Sequence, residues 1–401
     1  MTFRLALLNL TRNMRRTLAV LLTVALGSGS LFVFHGFNFG IMNQYRENTV
    51  HSRYGHGQVN TLGYRDLVYE KPWEHWIGGW SAVATQLKEI PGVKQIFPRI
   101  GFYGLLTNGQ ISVSGRGQGV DGLEESKFFT NLNIEEGVAL SDQPDGMVLG
   151  KGLARSLDVK VGGRVTVLVN TVNGTMNGGD FTVVGVFHTG AKEFDDAVFR
   201  IPLAQTFKLL DTDRVESIAI GLNDEKDWGN VVTSLKSHWP ELEATPFAVL
   251  DKVYYQNSVD WLKSQFGVIQ VIILTIVVLG IFNTISTGVL ERKSEIGNLR
   301  ANGESVRDVL SLLSLEGLAL GLIGSGCGLL IAWLFNVIFL KNGILMPPAP
   351  GLTRQYHVFI EFEPMMGLWA VLMSSFTALV ATIVASNRVA RLPIAEALRS
   401  V

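Results

Sequence analysis

The chain has 401 residues, of which 47% are hydrophobic and only 17% are charged, with a formal net charge of -1 at pH 7. Soluble domains average about 25% charged residues, so the composition argues against an ordinary soluble protein. The balanced charge argues against a general nucleic-acid binder. A single cysteine, Cys327, excludes a disulfide within the chain and a metal site built from cysteines.

Charged residues are absent from four long stretches. The stretches without Asp, Glu, Lys or Arg are 17–45, 265–290, 317–340 and 364–387. A helix needs roughly 20 apolar residues to cross the bilayer core, and an apolar run of about 18 or more predicts a span. We therefore predict transmembrane helices at 17–45, 264–290, 309–340 and 364–387.

Residues 1–16 place Arg4, Arg12, Arg15 and Arg16 among alternating apolar residues. This pattern favours a cytoplasmic amphipathic helix in the membrane interface, with a ragged terminus as the alternative. The apolar run that follows is longer than the about 7–15 residues of a signal-peptide core, which indicates a retained membrane anchor.

Orientation follows from lysine and arginine in short flanking segments. The segments 1–16, 291–308 and 388–401 are rich in these residues, whereas the hairpin 341–363 holds only Lys341 and Arg354. We expect both termini and 291–308 in the cytoplasm, and the hairpin and 46–263 outside.

The segment 46–263 is too long for a loop and predicts a mixed α/β domain of two lobes. Residues 81–100 predict a helix, a turn and a strand, and 115–120 predict a glycine-rich turn after a strand. Residues 163–169 and 181–187 predict a hairpin with a long, mobile tip. From about Val253 the pattern becomes helical without proline, and a helix from Tyr255 to Leu290 would be about 54 Å long. Because the bilayer core takes about 30 Å, the remainder would form a stalk outside the membrane.

Catalytic motifs are missing from the sequence. The stretch GMVLGKG at 146–152 has the wrong spacing for a phosphate-binding loop, and GRGQGV lacks the third glycine of a dinucleotide fingerprint. His51 and His56 are five residues apart and do not predict a metal site. We therefore expect no enzyme activity, cofactor or metal in this chain.

Two ionisable residues fall within predicted spans. His35 is expected near the outer boundary with a hydrogen bond to a neighbouring helix, and Glu316 near the cytoplasmic interface or paired with Arg12 or Arg300. A functional role for His35 and a proton relay through Glu316 are the alternatives.

Two further patterns indicate packing. Trp73, Trp76 and Trp80 recur at i, i+3 and i+7, which predicts one helical face in a domain core; the alternative is contact with cargo or a partner. In the third span, small residues at three- and four-residue steps predict a helix-packing face against the same chain or a second copy. They are Gly317, Gly321, Gly324 and Gly328.

The stretch ERKSEIGNLRANGES at 291–305 is dense in both charges between two apolar runs. On a helix, Ile296 lies beside charged residues, which suits docking better than a solvated loop. Gly303 would end this helix, and Ser305 with Asp308 would form a capping box. The predicted docking residues are Glu291, Arg292, Glu295, Ile296, Leu299, Arg300 and Gly303.

This stretch resembles the cytoplasmic loop of the MacB/FtsX/LolC-type ABC transporter permeases, whose pattern is ER-x-x-E-I-G-x-L-R-A-x-G followed by a helix containing E-G. The chain departs from it at Asn302, where an apolar residue is more usual. GKGLARSLDVKVGGRVTVLV and FTVVGVF resemble the family's outer domain, and ASNRVARLPIAEALR resembles its usual C-terminal end.

The resemblance implies an α+β membrane protein of the bacterial inner membrane, with four transmembrane α-helices and a large mixed α/β periplasmic domain between the first two. It implies a coupling helix that docks on a separate ATPase, which binds the ATP and magnesium. Two ATPases would pair with two permease copies or with a copy and a paralogue. A periplasmic adaptor or lipoprotein chaperone is a further possible partner, and no nucleic acid is expected.

The function predicted is export or extraction of an amphipathic or lipid-linked cargo, such as a lipoprotein, a peptide or a hydrophobic small molecule. The alternative is an FtsX-like transmembrane signal transmitter that regulates a periplasmic enzyme. A third hypothesis is a membrane-anchored receptor domain without an ATPase.

Overall fold

The computed structural model describes residues 14–69, 71–141, 143–252, 257–347, 353 and 355–399. The predicted interfacial helix at 1–16 therefore lies almost entirely outside the described residues. Two compact units are present. The helical unit comprises Met1–Asn43, Asp260–Met346 and His357–Val401, and the sheet unit comprises Gln44–Val259 and Pro347–Tyr356.

The helices and strands of the described residues follow in chain order. The α-helices are α1 (Met14–Thr49), α2 (Tyr64–Leu67), α3 (Trp80–Glu89), α4 (Gly122–Phe128), α5 (Lys151–Ser156), α6 (Lys192–Ala197), α7 (Leu203–Leu210), α8 (Trp228–His238), α9 (Phe247–Leu250), α10 (Asn257–Leu290), α11 (Lys293–Ala301), α12 (Val306–Phe339), α13 (Pro364–Ala390) and α14 (Ile394–Arg399). The strands are β1 (Gly57–Thr61), β2 (Val93–Thr107), β3 (Ser112–Val120), β4 (Ile134–Gly137), β5 (Gly146–Gly150), β6 (Arg164–Asn170), β7 (Met176–Phe187), β8 (Val198–Pro202), β9 (Ser217–Leu222), β10 (Leu242–Pro246), β11 (Ile344–Met346) and β12 (Tyr356–Val358).

Four helices among the described residues are long and apolar enough to cross a membrane. They are α1 with its π-helical extension Val50–Tyr54, α10, α12 and α13. Each overlaps one predicted span. Helix α10 has 34 residues and starts at Asn257, so the two residues 255–256 at the start of the predicted stalk helix lie outside the described residues.

Small side chains determine how α12 and α13 pack. Helix α13 buries Ser374, Ser375, Ala378, Ala381 and Thr382. A Cβ added at Gly321 of α12 would lie 2.7 Å from the Cα of Ser375, closer than real side chains allow. The two backbones therefore approach each other closely, as small residues permit in membrane helices.

The sheet unit is built on one strand path with the order β10-β1-β9-β2-β3-β8-β5-β7-β4, and β6 pairs with β2 and β7. Pairs β3–β8 and β5–β7 are parallel, whereas the other pairs are antiparallel. Strand β2 has 15 residues and pairs with β9 through its first half and with β3 and β6 through its second half. The predicted two lobes are thus two halves of one sheet that share β2 and a common hydrophobic cluster.

Two local predictions in this unit are wrong. Residues 115–120 belong to strand β3 rather than to a turn; Gly117 is needed there because the ring of Phe102 occupies the place of a side chain. The hairpin tip is short, because β7 begins at Met176 and pairs with Asn170 of β6. Only residues 171–175 remain as the turn, and Thr171 N donates to Thr175 O at 2.8 Å.

The three tryptophans do not share one helix. Trp73 lies in the 3-10 turn Pro72–His75, Trp76 follows it in an extended conformation, and Trp80 begins α3. Trp76 is 6% exposed and belongs to the core, Trp80 is half-buried against it, and Trp73 is 37% exposed. The extended conformation of Trp76 and Gly79, at φ +58°, interrupt the helix that their spacing predicted.

Candidate functional site

The segment between α10 and α12 forms a short, sharply bounded helix. Helix α11 follows α10 after two residues, and Gly303 with φ +97° ends the segment in the left-handed region that favours glycine. The predicted capping box at the start of α12 is confirmed: Asp308 N donates to Ser305 Oγ at 3.3 Å, and Ser305 N donates to Asp308 Oδ2 at 3.2 Å. The segment is therefore a defined structure rather than a loose loop.

Apolar residues of α11 face inward. Ile296 is 1% exposed and packs in a cluster with Val309, Leu313 and Val389, and Leu299 packs partly buried against the same cluster. The prediction that Ile296 and Leu299 belong to an exposed docking face is therefore wrong for Ile296. Burial of apolar side chains is the stronger force on a short amphipathic helix, so these residues hold α11 against α12 and α13.

An ion-pair network joins the start of α11 to α12. Arg292 Nε donates to Glu295 Oε2 at 2.8 Å, and Arg292 Nη1 donates to Glu316 Oε2. Burial alone would lower the pKa of Arg292, but its hydrogen bonds to Glu316 and Glu295 raise that pKa above the ordinary value. Arg292 therefore stays charged and links residues 291–292 between α10 and α11, which we call the elbow, to α12.

Arg300 makes a different contact from the one predicted. Its Nη1 donates to Ala390 O at 2.6 Å and to Leu392 O at 3.3 Å, so it caps the C-terminal end of α13 and does not pair with Glu316. A guanidinium at a helix C-terminus is favourable because the carbonyls there carry a partial negative charge. Arg12, the other partner proposed for Glu316, lies outside the described residues.

The surface that α11 leaves open is a compact polar patch. We name it the docking patch, and it consists of Asn298, Ala301, Asn302, Gly303, Glu304 and Ser305, which are all exposed. Of the predicted docking residues, Gly303 belongs to it and Glu291 is exposed nearby, whereas Arg292, Glu295, Leu299 and Arg300 are half-buried. The motif did not single out Asn298, Asn302 or Glu304; Asn298 lies two positions after the buried Ile296, on the opposite side of α11.

The four glycines of α12 face two helices of the same chain. An added Cβ at Gly317 or Gly321 would overlap Thr382 or Ser375 of α13, and one at Gly324 would lie 2.8 Å from Val24 of α1. At Gly328 it would overlap the carbonyl oxygen of Ala25 in α1. The glycines thus let α12 pack between α1 and α13.

The described histidines make individual contacts with carboxylates and backbone groups. Among the described residues, no group of three or more His, Cys, Asp or Glu side chains is placed to hold a metal ion. His35 Nε2 lies 3.6 Å from Glu363 Oε2 at the start of α13. His56 Nδ1 accepts from Leu222 N at 3.0 Å, and burial followed by the nearby His51 lowers the pKa of His56 to about 4.

Comparison with protein families gives matches to both parts of the chain. The model of the MacB-like periplasmic core domain matches residues 17–238, which is more than half of the chain. The model of the FtsX-like permease C-terminal region matches residues 267–394, which include α11 and the docking patch.

Several individual proteins are similar to this chain. The lipoprotein-releasing system transmembrane protein LolE of Haemophilus influenzae is 25% identical over 344 residues, which are 82% of this chain and 82% of that protein. LolC of Neisseria meningitidis serogroup B is 28% identical over 275 residues, 63% of this chain and 64% of that protein. The crystal structure of the periplasmic region of MacB from Actinobacillus actinomycetemcomitans, 14% identical, gives a TM-score of 0.37 and covers 49% of this chain and 91% of that one.

Proposed function

Since the chain belongs to the MacB/FtsX/LolC-type family of ABC transporter permeases, we propose that it extracts lipidated proteins from the outer leaflet of the inner membrane, driven by a separate ATPase. Its family and its four long apolar helices make it a permease subunit of the inner membrane with a periplasmic domain. Permease subunits do not themselves hydrolyse ATP, and the family implies an ABC ATPase partner.

The observation that carries the proposal is the construction of the docking patch. Ile296, Arg292 and Arg300 fix α11 to α12 and α13, while the patch itself stays exposed. A partner that pushes on the patch would therefore move the ends of long helices rather than bend a loop. We propose that the ATPase, with ATP and magnesium bound, is that partner, and that the patch and both termini lie in the cytoplasm.

Lipidated proteins are the cargo we favour among the predicted classes. The similarity to LolE runs over 82% of both chains, and that relative is a component of a lipoprotein-releasing system. The charge-free stretches of the four helices present apolar surface suited to acyl chains. A second permease copy or paralogue, and a periplasmic carrier that receives the cargo, complete the proposed assembly.

A release assay in spheroplasts tests this function. We expect that a partner ATPase unable to hydrolyse ATP leaves lipoproteins in the inner membrane, whereas the wild-type pair transfers them to the medium in the presence of a carrier. Lipoprotein release that continues without hydrolysis would contradict the coupling. Normal lipoprotein distribution together with altered activity of a wall hydrolase would instead support the FtsX-like signalling alternative.

A charge added to the docking patch tests whether an ATPase binds there. Asn302→Arg adds a charge to an exposed position without disturbing the anchoring contacts, and we expect recovery of the ATPase with the permease to fall about tenfold, since one to two kcal/mol at an interface has this effect. Gln110→Arg, at an exposed turn in the sheet unit, is the matched control. Equal recovery in both variants would support the receptor hypothesis without an ATPase.

A further inference from the structure

The outer end of the first spanning helix is held by a cluster of buried charges. Helix α1 continues without interruption into the π-helix Val50–Tyr54, whose Val50 and Ser52 are buried in the sheet unit. Around these turns lie Arg99 of β2, Arg200 of β8 and Glu125 of α4, which we call the outer clamp. Its three residues are between 2% and 4% exposed.

Glu125 holds the two arginines together. Arg99 donates from Nε and Nη2 to the two carboxylate oxygens of Glu125 at 2.5 and 2.9 Å, a two-pronged pairing that fixes both groups. Arg200 Nη1 donates to Glu125 Oε2 at 3.2 Å, and its Nε donates to Gln118 Oε1 at 2.9 Å. The ring of Phe129 lies under the guanidinium of Arg99, 4.2 Å from the ring centre.

The remaining donors of both arginines are directed at the helix end. Arg99 Nη1 donates to the carbonyl of Arg53, and Arg200 Nη2 donates to the carbonyl of Ser52 at 3.4 Å. Two guanidinium groups against one carboxylate leave one positive charge in excess. The C-terminal carbonyls of a helix carry roughly half a negative charge, so the helix end itself offsets part of this excess.

The free-energy cost of burying three charged side chains makes the outer clamp unusual for a purely structural contact. Burial lowers the pKa of Arg200 to about 10, only partly opposed by Glu125, which leaves the group charged at neutral pH. Replacing buried ion pairs with apolar groups is often neutral or stabilising in proteins, so stability alone does not account for the clamp. What the charges provide is a fixed, directional connection between two strands and the last carbonyls of a membrane helix.

We infer that Arg99, Glu125 and Arg200 are positioning residues that transmit displacement of the first spanning helix to the sheet unit. The inference rests on the proposed function, because it supplies the route by which motion driven at the docking patch reaches the cargo-handling domain. Strands β2 and β8 lie at different places in the strand order, so a force on the helix end acts on the sheet at two points.

The test uses the full-length permease bound to its ATPase in lipid nanodiscs. In a Cys327→Ser background, Met176→Cys and Asn342→Cys place spin labels at exposed positions, one in each unit. Pulsed EPR measures the distance between the labels with and without a non-hydrolysable ATP analogue. Lipoprotein release and ATP hydrolysis are measured on the same preparations.

The informative variant removes all three charges together. Arg99→Met, Glu125→Leu and Arg200→Met keep the site filled and apolar, so we expect the sheet unit to remain folded by protease protection. We expect ATP hydrolysis to continue at the wild-type rate, the nucleotide-dependent change in distance to disappear, and release to fall about tenfold, a typical coupling effect. Glu124→Gln, a neighbour on α4 whose side chain is 44% exposed, should behave as wild type in all three measurements.

The results distinguish failure of the inference about the outer clamp from failure of the proposed function. A triple variant that keeps the wild-type change in distance and the wild-type release would overturn the clamp and leave the permease function intact. A triple variant that does not fold would also overturn it, since the charges would then be structural. A wild-type complex with no nucleotide-dependent change and no release would contradict the proposed function itself.

Discussion

Arginine–carboxylate clusters hold helix ends in both units, but they differ in how deeply they are buried. In the outer clamp, the side chains of Arg99 and Glu125 are 5% and 3% exposed. In the ion pair between the elbow and α11, the side chains of Arg292 and Glu295 are 14% and 34% exposed. Because water screens charges that it reaches, breaking the Arg292–Glu295 ion pair costs less than breaking an ion pair of the outer clamp. The difference indicates that the outer clamp is fixed, whereas Arg292 keeps one fixed partner, Glu316, whose side chain is 6% exposed, and one adaptable partner, Glu295.

The largest effect is expected from breaking the clamp on one side only. Glu125→Leu leaves Arg99 and Arg200 buried without the carboxylate that they share, and removal of one partner from a buried pair costs about 3–5 kcal/mol. Unfolding of the full chain in urea, followed by tryptophan fluorescence, measures the loss. Glu124→Gln on the same helix is the control and should leave the midpoint unchanged. Equal midpoints for both variants would show that the clamp is not the more rigid of the two clusters.

The next effect concerns how α11 is held in the helical unit. Ile296 is 1% exposed, and Ile296→Ala leaves a cavity that costs about 2–4 kcal/mol. We expect a lower thermal midpoint in detergent together with loss of ATPase binding. The exposed Asn298→Ala should keep the wild-type midpoint and weaken only the binding. If Ile296→Ala retained the wild-type midpoint, Ile296 would not hold α11 in place.

Packing within the spans predicts an intermediate effect. A Cβ at Gly317 would overlap Thr382, whereas one at Gly326 of the same helix meets nothing within 4 Å. Gly317→Ala is therefore expected to cost about 1–3 kcal/mol by overpacking, and Gly326→Ala to leave stability unchanged or slightly higher. Thermal midpoints of the two purified variants measure the contrast, which would vanish if α12 and α13 were loosely packed.

The smallest effect is a pH dependence near the outer clamp. Burial and then His51 lower the pKa of His56 to about 4, so the unfolded chain binds more protons than the folded one between that value and the ordinary pKa of about 6.5. Stability contributed by neutral His56 is therefore complete above that ordinary pKa and decreases as the pH falls toward 4. We expect wild type to lose more stability than His56→Gln between pH 7 and pH 5 in urea unfolding. An identical loss in both would show that His56 is not the titrating group.

Much of the fold follows from the sequence because its signals are strong and local. Four charge-free stretches predicted the spanning helices, and Ser305 with Asp308 predicted the start of α12, which the structure confirms. The α+β class with a large domain between the first two spans is confirmed as well. The length of each segment and the positions of its charged residues decide these features, and both can be read directly from the sequence.

Features that depend on distant contacts were predicted less well. Ile296 looked like part of an exposed face because its burial depends on Val309 and Val389, which belong to two other helices. Gly117 resembled a turn residue because the ring of Phe102 above it belongs to another strand. The outer clamp was not predicted, since no spacing in the sequence indicates that Glu125 meets Arg99.

Crosslinking from the docking patch tests the central claim most directly. In the Cys327→Ser background, Asn302→Cys carries an exposed thiol that a short thiol-to-amine crosslinker can join to a neighbouring protein in intact cells. We expect a single major adduct with an ABC ATPase subunit, whose yield changes with ATP. Adducts with periplasmic proteins alone, or labelling of this thiol by membrane-impermeant reagents added outside intact cells, would contradict the account.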